Sequence, residues 1–277
     1  MSDEARIFAR LSALCQERAP YVLCTVVRTA GSTPRKAGAK LIVTAHDTFG
    51  TIGGGRVEHE VTQQARQLLD EQQRARPLQR RFHLTHDLAM CCGGEVEIFF
   101  EPHQPRPILL VCGGGHIAHA LVPMAARADF DVFVAEDLEP MTGAARFPDA
   151  AGFVDGFELA DLRTLPLEGA YVVVVTRDHA IDQRIVESLL ANAPDLAYLG
   201  LIGSRRKAMM VRARLAHRGL PDEAIARLVC PVGLSIGAET PAEIAVSILA
   251  QLIETRQRRR QLVSVPHATA TSTGGIG

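Results

Sequence analysis

The chain has 277 residues, 47% hydrophobic and 22% charged, which suits two globular domains that each bury a core and excludes a disordered chain. A net charge of -1 gives no overall attraction to nucleic acid or to an anionic membrane, so any basic site is local. The N-terminus is acidic at once, no apolar run has the length of a signal peptide or a bilayer span, and six cysteines lack a disulfide spacing; a cytoplasmic protein with reduced thiols is expected.

Apolar Ile7, Leu11, Leu14 and Cys15 fall at helical spacing and predict a helix over 3–18, stopped by Pro20. Strands are predicted over 21–27, 40–44 and near 49–52, with the polar segment Gly31-Ser32-Thr33-Pro34-Arg35-Lys36 between the first two. Gly53-Gly54-Gly55 leads into a helix with Val57, Val61, Ala65 and Leu68 or Leu69 on one face. Two more strands, 78–84 and 95–101, follow, the second with one wet face. The stiff segment His103-Gln104-Pro105-Arg106-Pro107 marks a boundary.

Beyond it the pattern changes. Ile108 to Val111 is continuously apolar, as in a strand buried on both faces of a parallel sheet. A glycine turn and a helix through Ala128 follow, then a strand over 131–135 ending at Glu136-Asp137. Strand 171–175, helix 181–190, strand 196–202 and helix 204–217 continue the alternation and predict a doubly wound α/β domain. Thr240-Pro241-Ala242-Glu243 opens a last helix with a cap, a proline at its first position and a capping-box glutamate. The fold class is therefore α/β: an N-terminal mixed α+β domain over 1–103, a linker at 104–107, a Rossmann-like doubly wound parallel-sheet domain over 108–262, and a disordered tail over 263–277.

Gly113-x-Gly115-x-x-Ala118 fits the relaxed dinucleotide fingerprint, with tight turn, close phosphate approach and a small residue for helix packing, and Glu136-Asp137 stands where such folds hold a ribose hydroxyl. The plainer reading of the same glycines is that they only turn the chain. Ser204-Arg205-Arg206-Lys207 places three cations in a first helical turn, against the dipole, so it is either an anion site or a solvated basic face. His179, after the strand that ends at Val175, either donates to a ligand or sits in a helix start capped by Asp178. In the N-terminal domain three glycine loops can cradle an oxyanion: the segment with Arg35, the one with Gly54 and Glu58, and Cys91-Cys92-Gly93-Gly94. Cys92 beside glycines can approach a soft centre or be a buried apolar residue, and Cys112 points either into the sheet or toward the crevice. His83, His86, Cys91 and Cys92 do not have a standard zinc spacing, and nucleophile-elbow, Walker A and zincin motifs are missing.

In order, Arg28-Thr29-Ala30-Gly31-Ser32-Thr33-Pro34, Gly50-Thr51-Ile52-Gly53-Gly54-Gly55 with Glu58, Met90-Cys91-Cys92-Gly93-Gly94, the Gly113 turn, Thr176-Arg177-Asp178-His179, Ile202-Gly203-Ser204-Arg205-Arg206-Lys207 and the segment from Pro231 to Ala245 resemble the XdhC/CoxI family, accessory proteins of xanthine dehydrogenase maturation. The resemblance spans residues 21–250. It implies a chaperone, not a catalyst, that binds molybdenum cofactor during sulfuration and delivers it to apo-xanthine dehydrogenase. Implied partners are the molybdenum-bearing subunit of xanthine dehydrogenase, a cysteine desulfurase and a second copy in a homodimer. The cofactor-binding residues expected are Arg35, Gly54, Cys92, Gly93, Cys112, Gly113, Gly115, His179, Ser204, Arg205, Arg206 and Lys207, with Cys92 or Cys112 near molybdenum. The turn reads Cys-Gly-Gly-Gly-His, which sets it apart from an ordinary nucleotide turn. The alternative is an NAD(P)-dependent oxidoreductase with an unusual N-terminal substrate domain.

Overall fold

The computed structural model describes residues 2–70, 76–84, 94–137, 143–192 and 195–262. It forms two compact units, one built on residues up to Pro105 and the other on Arg106–Gln261.

The first unit begins with α1 (Asp3–Gln16), whose N-cap Ser2 accepts from the Ala5 N–H and whose acidic first turn suits the helix dipole. Strands β1 (Tyr21–Ala30), β2 (Lys40–Val43) and β3 (Thr48–Gly50) precede α2 (Gly55–Asp70); β4 (Leu78–His83) and β5 (Glu95–His103) follow. The five strands form an antiparallel sheet in the order β3-β2-β1-β5-β4. Side chains alternate between its faces. Leu41 and Val43 join Val22, Cys24, Val26 and Phe100 under Val57, Val61, Ala65, Leu68 and Leu69 of α2. Ile42 and Tyr21 take the other face, with Ile7 and Leu14 of α1. Strand β1 runs three residues past the predicted Val27, because Arg28, Thr29 and Ala30 pair with Glu97, Val96 and Glu95 of β5.

The second unit is a six-stranded parallel sheet. Strand β6 (Ile108–Cys112) leads through α3 (His116–Arg127) to β7 (Asp131–Glu136) and, past α4 (Gly143–Arg146), to β8 (Gly152–Asp155). The chain then passes α5 (Leu159–Leu162) to β9 (Tyr171–Val174), α6 (His179–Asn192), β10 (Tyr198–Leu201), α7 (Arg205–His217), α8 (Asp222–Ala226), β11 (Leu228–Val229) and α9 (Pro241–Leu262). The strand order β8-β7-β6-β9-β10-β11 winds outward from the middle in both directions. This is the doubly wound sheet expected from the sequence, and its strand order reverses between β6 and β9, where such folds open a crevice at the carboxyl ends. All five β6 residues are buried. Leu109 and Val111 face α3 and α9, while Leu110 and Cys112 face the side covered by α6 and α7. Among the described residues no helix is long and apolar enough to cross a membrane.

Candidate functional site at the carboxyl edge of the parallel sheet

The three glycines after β6 have different tasks. Gly113 has φ +112°, and a Cβ there would lie 2.6 Å from the Val175 carbonyl oxygen. Its N–H donates to the Ala135 carbonyl at 2.9 Å, while the Val175 N–H donates to the Cys112 carbonyl at 2.9 Å. The turn is thus wedged between the ends of β7 and β9, where only glycine fits. The Gly114 N–H donates to Glu136 Oε2 at 2.7 Å, and its carbonyl accepts from Arg146 Nη2 at 2.6 Å. Gly115 is the N-cap of α3; it offers no side-chain cap and has open space on its Cβ side. The first-turn amides of α3 therefore remain open to an anion.

Acids at the end of β7 are already engaged. Arg177 donates to both Asp137 oxygens, at 2.6 and 3.3 Å, and to Glu136 Oε1 at 3.4 Å. The Arg177 hydrogen bond holds the Asp137 carboxyl below its usual range. His119 stacks on Phe147 with centroids 4.4 Å apart and lies 3.3 Å from Arg146 Nη2. Burial, and then the Arg146 charge, push its pKa down, which favours the neutral imidazole.

The loops after β9 and β10 meet through a buried acid. Asp182 is 1% exposed; Oδ1 accepts from the Thr176 N–H at 3.2 Å and the Thr176 hydroxyl at 2.7 Å, and Oδ2 accepts from Lys207 Nζ at 2.6 Å. Ser204 caps α7 by accepting from the Lys207 N–H at 3.2 Å. Asp178 caps α6, accepting from the Ala180 and Ile181 N–H groups, and the exposed His179 imidazole has Nδ1 3.8 Å from Asp182 Oδ2. Arg205 and Arg206 are exposed and make no hydrogen bond or ion pair with a described residue. Of the three cations expected to bind an anion, Lys207 is turned inward to Asp182, and Arg205 and Arg206 face solvent.

In the first unit, Gly53, Gly54 and Gly55 all have positive φ. Glu58 Oε2 accepts from the Thr51 hydroxyl at 2.6 Å and from the N–H groups of Ile52 at 3.1 Å and Gly54 at 3.0 Å. A Cβ on Gly53 would meet Pro34 at 2.5 Å, so the loop carrying Arg35 lies against the Gly53 turn.

One metal expectation needs correction. Cys112 is fully buried in the core beside Leu110 and Val174, not in the crevice, and burial pushes its thiol pKa far up. The cause is strand alternation, which puts Cys112 on the face of Ile108 and Leu110. The enclosed Cys112 side chain does not open to the crevice, and its burial favours the thiol over the thiolate that binds metal. Cys92 and Gly93 lie outside the described residues. Among the described residues no group of three or more His, Cys, Asp or Glu side chains could hold a metal. Arg146 was not singled out in the sequence; a four-residue helix leaves no periodic signal there.

Residues 109–252 match the family described as the XdhC Rossmann domain, and residues 14–82 match the XdhC and CoxI family. The chain belongs to the XdhC family. It is 32% identical over 262 residues to the uncharacterized protein YqeB of Escherichia coli (strain K12), covering 90% of this chain and 46% of that protein. It is 32% identical over 164 residues to a Bacillus subtilis (strain 168) protein named as a probable xanthine dehydrogenase subunit, covering 58% of this chain and 46% of that protein. This XdhC-family chain thus spans about half the length of the curated relatives it matches. A crystal structure from Bacillus halodurans, described as a xanthine dehydrogenase, matches with a TM-score of 0.51 at 24% identity, covering 96% of this chain and 98% of that one; the likeness is one of fold.

Proposed function

We propose that this chain is an accessory protein of xanthine dehydrogenase maturation, which binds molybdenum cofactor, holds it during sulfuration and delivers it to the apo-enzyme. Membership of the XdhC family carries this reading, supported by the name of the Bacillus subtilis relative. The partners it calls for are a cysteine desulfurase as sulfur source, the molybdenum-bearing subunit of the dehydrogenase, and a second copy of the chain.

The described residues suit part of the cofactor. Its phosphate matches the uncapped first turn of α3 at Gly115 and the unengaged Arg205 and Arg206, which belong to the same carboxyl edge of one parallel sheet. Gly113 and Gly114 hold the turn in place, while Asp182 and Lys207 hold the start of α7. Among the described residues no group of three or more His, Cys, Asp or Glu could hold the metal, and Cys92 is the residue we assign as its ligand. When bound, the cofactor supplies the molybdenum centre whose terminal oxo group is exchanged for sulfur. Accessory protein, not catalyst, is the role we assign.

The protein expressed with molybdenum cofactor available should retain molybdenum and oxidisable pterin in amounts stoichiometric with the chain, and transfer them to apo-xanthine dehydrogenase. Cys92→Ala should lose molybdenum, and Cys112→Ala should keep it. Preparations without molybdenum or pterin would overturn the reading.

A second reading rests on Glu136, which stands at the end of β7 beside the Gly113–Gly115 turn, the position from which a dinucleotide fold holds a ribose hydroxyl. NAD(P) binding of this kind would raise the thermal midpoint with ligand concentration. A midpoint that does not move with NAD or NADP removes it.

A further inference from the structure

The first unit contains a cleft of about 590 Å³, a size typical of small-molecule sites. It is bounded by the first turns of α1, the loop carrying Arg35, and β3 with Thr51. Three cations line it: Arg6, Arg35 and Lys40. Asp3 and Glu4 also line it, but neither forms an ion pair with these cations. Both acids stand in the first turn of α1, where the helix dipole stabilises them. The cations have weak internal partners. Lys40 Nζ donates to the Gly38 carbonyl at 3.1 Å, the Arg6 guanidinium carbon lies 5.9 Å from the Phe49 ring centroid, and the Arg35 guanidinium has no polar partner among the described residues. Ile7 and Phe49 supply apolar wall.

The walls are fixed by sequence. Gly50 has φ +91°, and a Cβ there would lie 2.5 Å from the Lys40 carbonyl oxygen and 2.6 Å from Ile7 Cδ1. Helix α1 and strands β2 and β3 can close to this distance only over glycine. Thr51 is held by Glu58 from outside the cleft.

We propose that this cleft is an anion site of its own, taking a phosphate ester carried on a flat heteroaromatic ring. Arg35 and Lys40 meet the phosphate, and the ring lies against the Arg6–Phe49 pair, since guanidinium planes and aromatic faces both stack on flat rings. A nucleotide and a phosphorylated pterin share this chemistry. The inference does not depend on the maturation role proposed above.

Calorimetric titration of the full chain with GMP, with a phosphorylated pterin and with inorganic phosphate tests it. One or both ring phosphates should bind at least about tenfold tighter than inorganic phosphate, and Arg35→Ala and Lys40→Met should each weaken that binding about tenfold, as expected on losing a charged hydrogen bond. Arg66→Ala, which removes an exposed cation of the same unit outside the cleft, should leave it unchanged. Arg35 is exposed, so its variant should keep the parent's thermal midpoint, which separates lost binding from lost fold. GMP alone binding identifies a nucleotide and the pterin alone identifies a pterin; either supports the site. Inorganic phosphate binding as tightly as both, or ring-phosphate binding indifferent to Arg35→Ala, overturns it. A chain that binds GMP through Arg35 yet never retains molybdenum would keep this site and lose the maturation reading.

Discussion

Lys207 Nζ lies 2.6 Å from Asp182 Oδ2, joining the first turn of α7 to the first turn of α6 at the carboxyl edge. Asp182 is 1% and Lys207 14% exposed at the side chain, so removing one partner leaves a charge with little water. Lys207→Met should cost about 3–5 kcal/mol in denaturant unfolding. The double variant Asp182→Asn with Lys207→Met should recover much of that loss. Equal losses for the single and the double variant would contradict a coupled pair.

The glycines at the turn should respond unequally. Gly113→Ala forces a Cβ to 2.6 Å from the Val175 carbonyl in a left-handed conformation, which should cost at least about 2 kcal/mol. Gly115→Ala meets no neighbour and has φ -79°, so it should cost less than about 1 kcal/mol, from the poorer N-cap. Urea midpoints of the two variants give the comparison. If the cofactor phosphate sits at α3, Gly115→Ala should also weaken cofactor retention without unfolding the chain.

The Asp137–Arg177 pair carries a defined pH dependence. The folded carboxyl pKa lies below its ordinary value of 3.8, chiefly through the Arg177 hydrogen bond, so the folded state releases this proton more readily. Its contribution to stability is present above that ordinary value and is lost as pH falls through the depressed folded one. The stability gap between the parent and Asp137→Asn should therefore be constant at neutral pH and close in acid. Added salt should narrow it, because the pair is largely exposed. A gap that widens in acid would reverse the assignment.

Thiol reactivity should sort by burial. Cys15 is exposed, whereas Cys24 and Cys112 are fully enclosed. Burial raises the Cys24 thiol to about 12, so it remains protonated in the folded chain at pH 8. Peptide mapping after iodoacetamide treatment at pH 8 should show Cys15 modified and Cys24 and Cys112 protected until denaturant is added. As the unfolded Cys24 ionises near 9.0, its burial should erode stability between there and about 12. Rapid labelling of Cys112 in the native chain would revive it as a ligand.

The parallel sheet was legible in the sequence because its central strands are continuous apolar runs and its turns are glycine-rich. Strand β8 was not: Gly152-Phe153-Val154-Asp155 is four residues long, with only Val154 buried. Strand β11 has two residues and α5 four, below the length at which a period can be read. The side of the sheet taken by Cys112 was hidden for the opposite reason, since a strand buried on both faces shows no alternation. The inward turn of Lys207 was equally hidden. Its partner Asp182 lies 25 positions upstream, and only the parallel register of β9 and β10 brings the starts of α6 and α7 together.

Three of the donors around the Gly53 turn converge on one atom, Glu58 Oε2. Releasing that oxygen frees the Thr51 hydroxyl and the Ile52 and Gly54 amides together, while the Thr51 N–H keeps its bond to the Lys40 carbonyl. The amides of Ile52 and Gly54 should then exchange with solvent deuterium as one cooperative event, with a shared opening free energy, instead of fraying residue by residue.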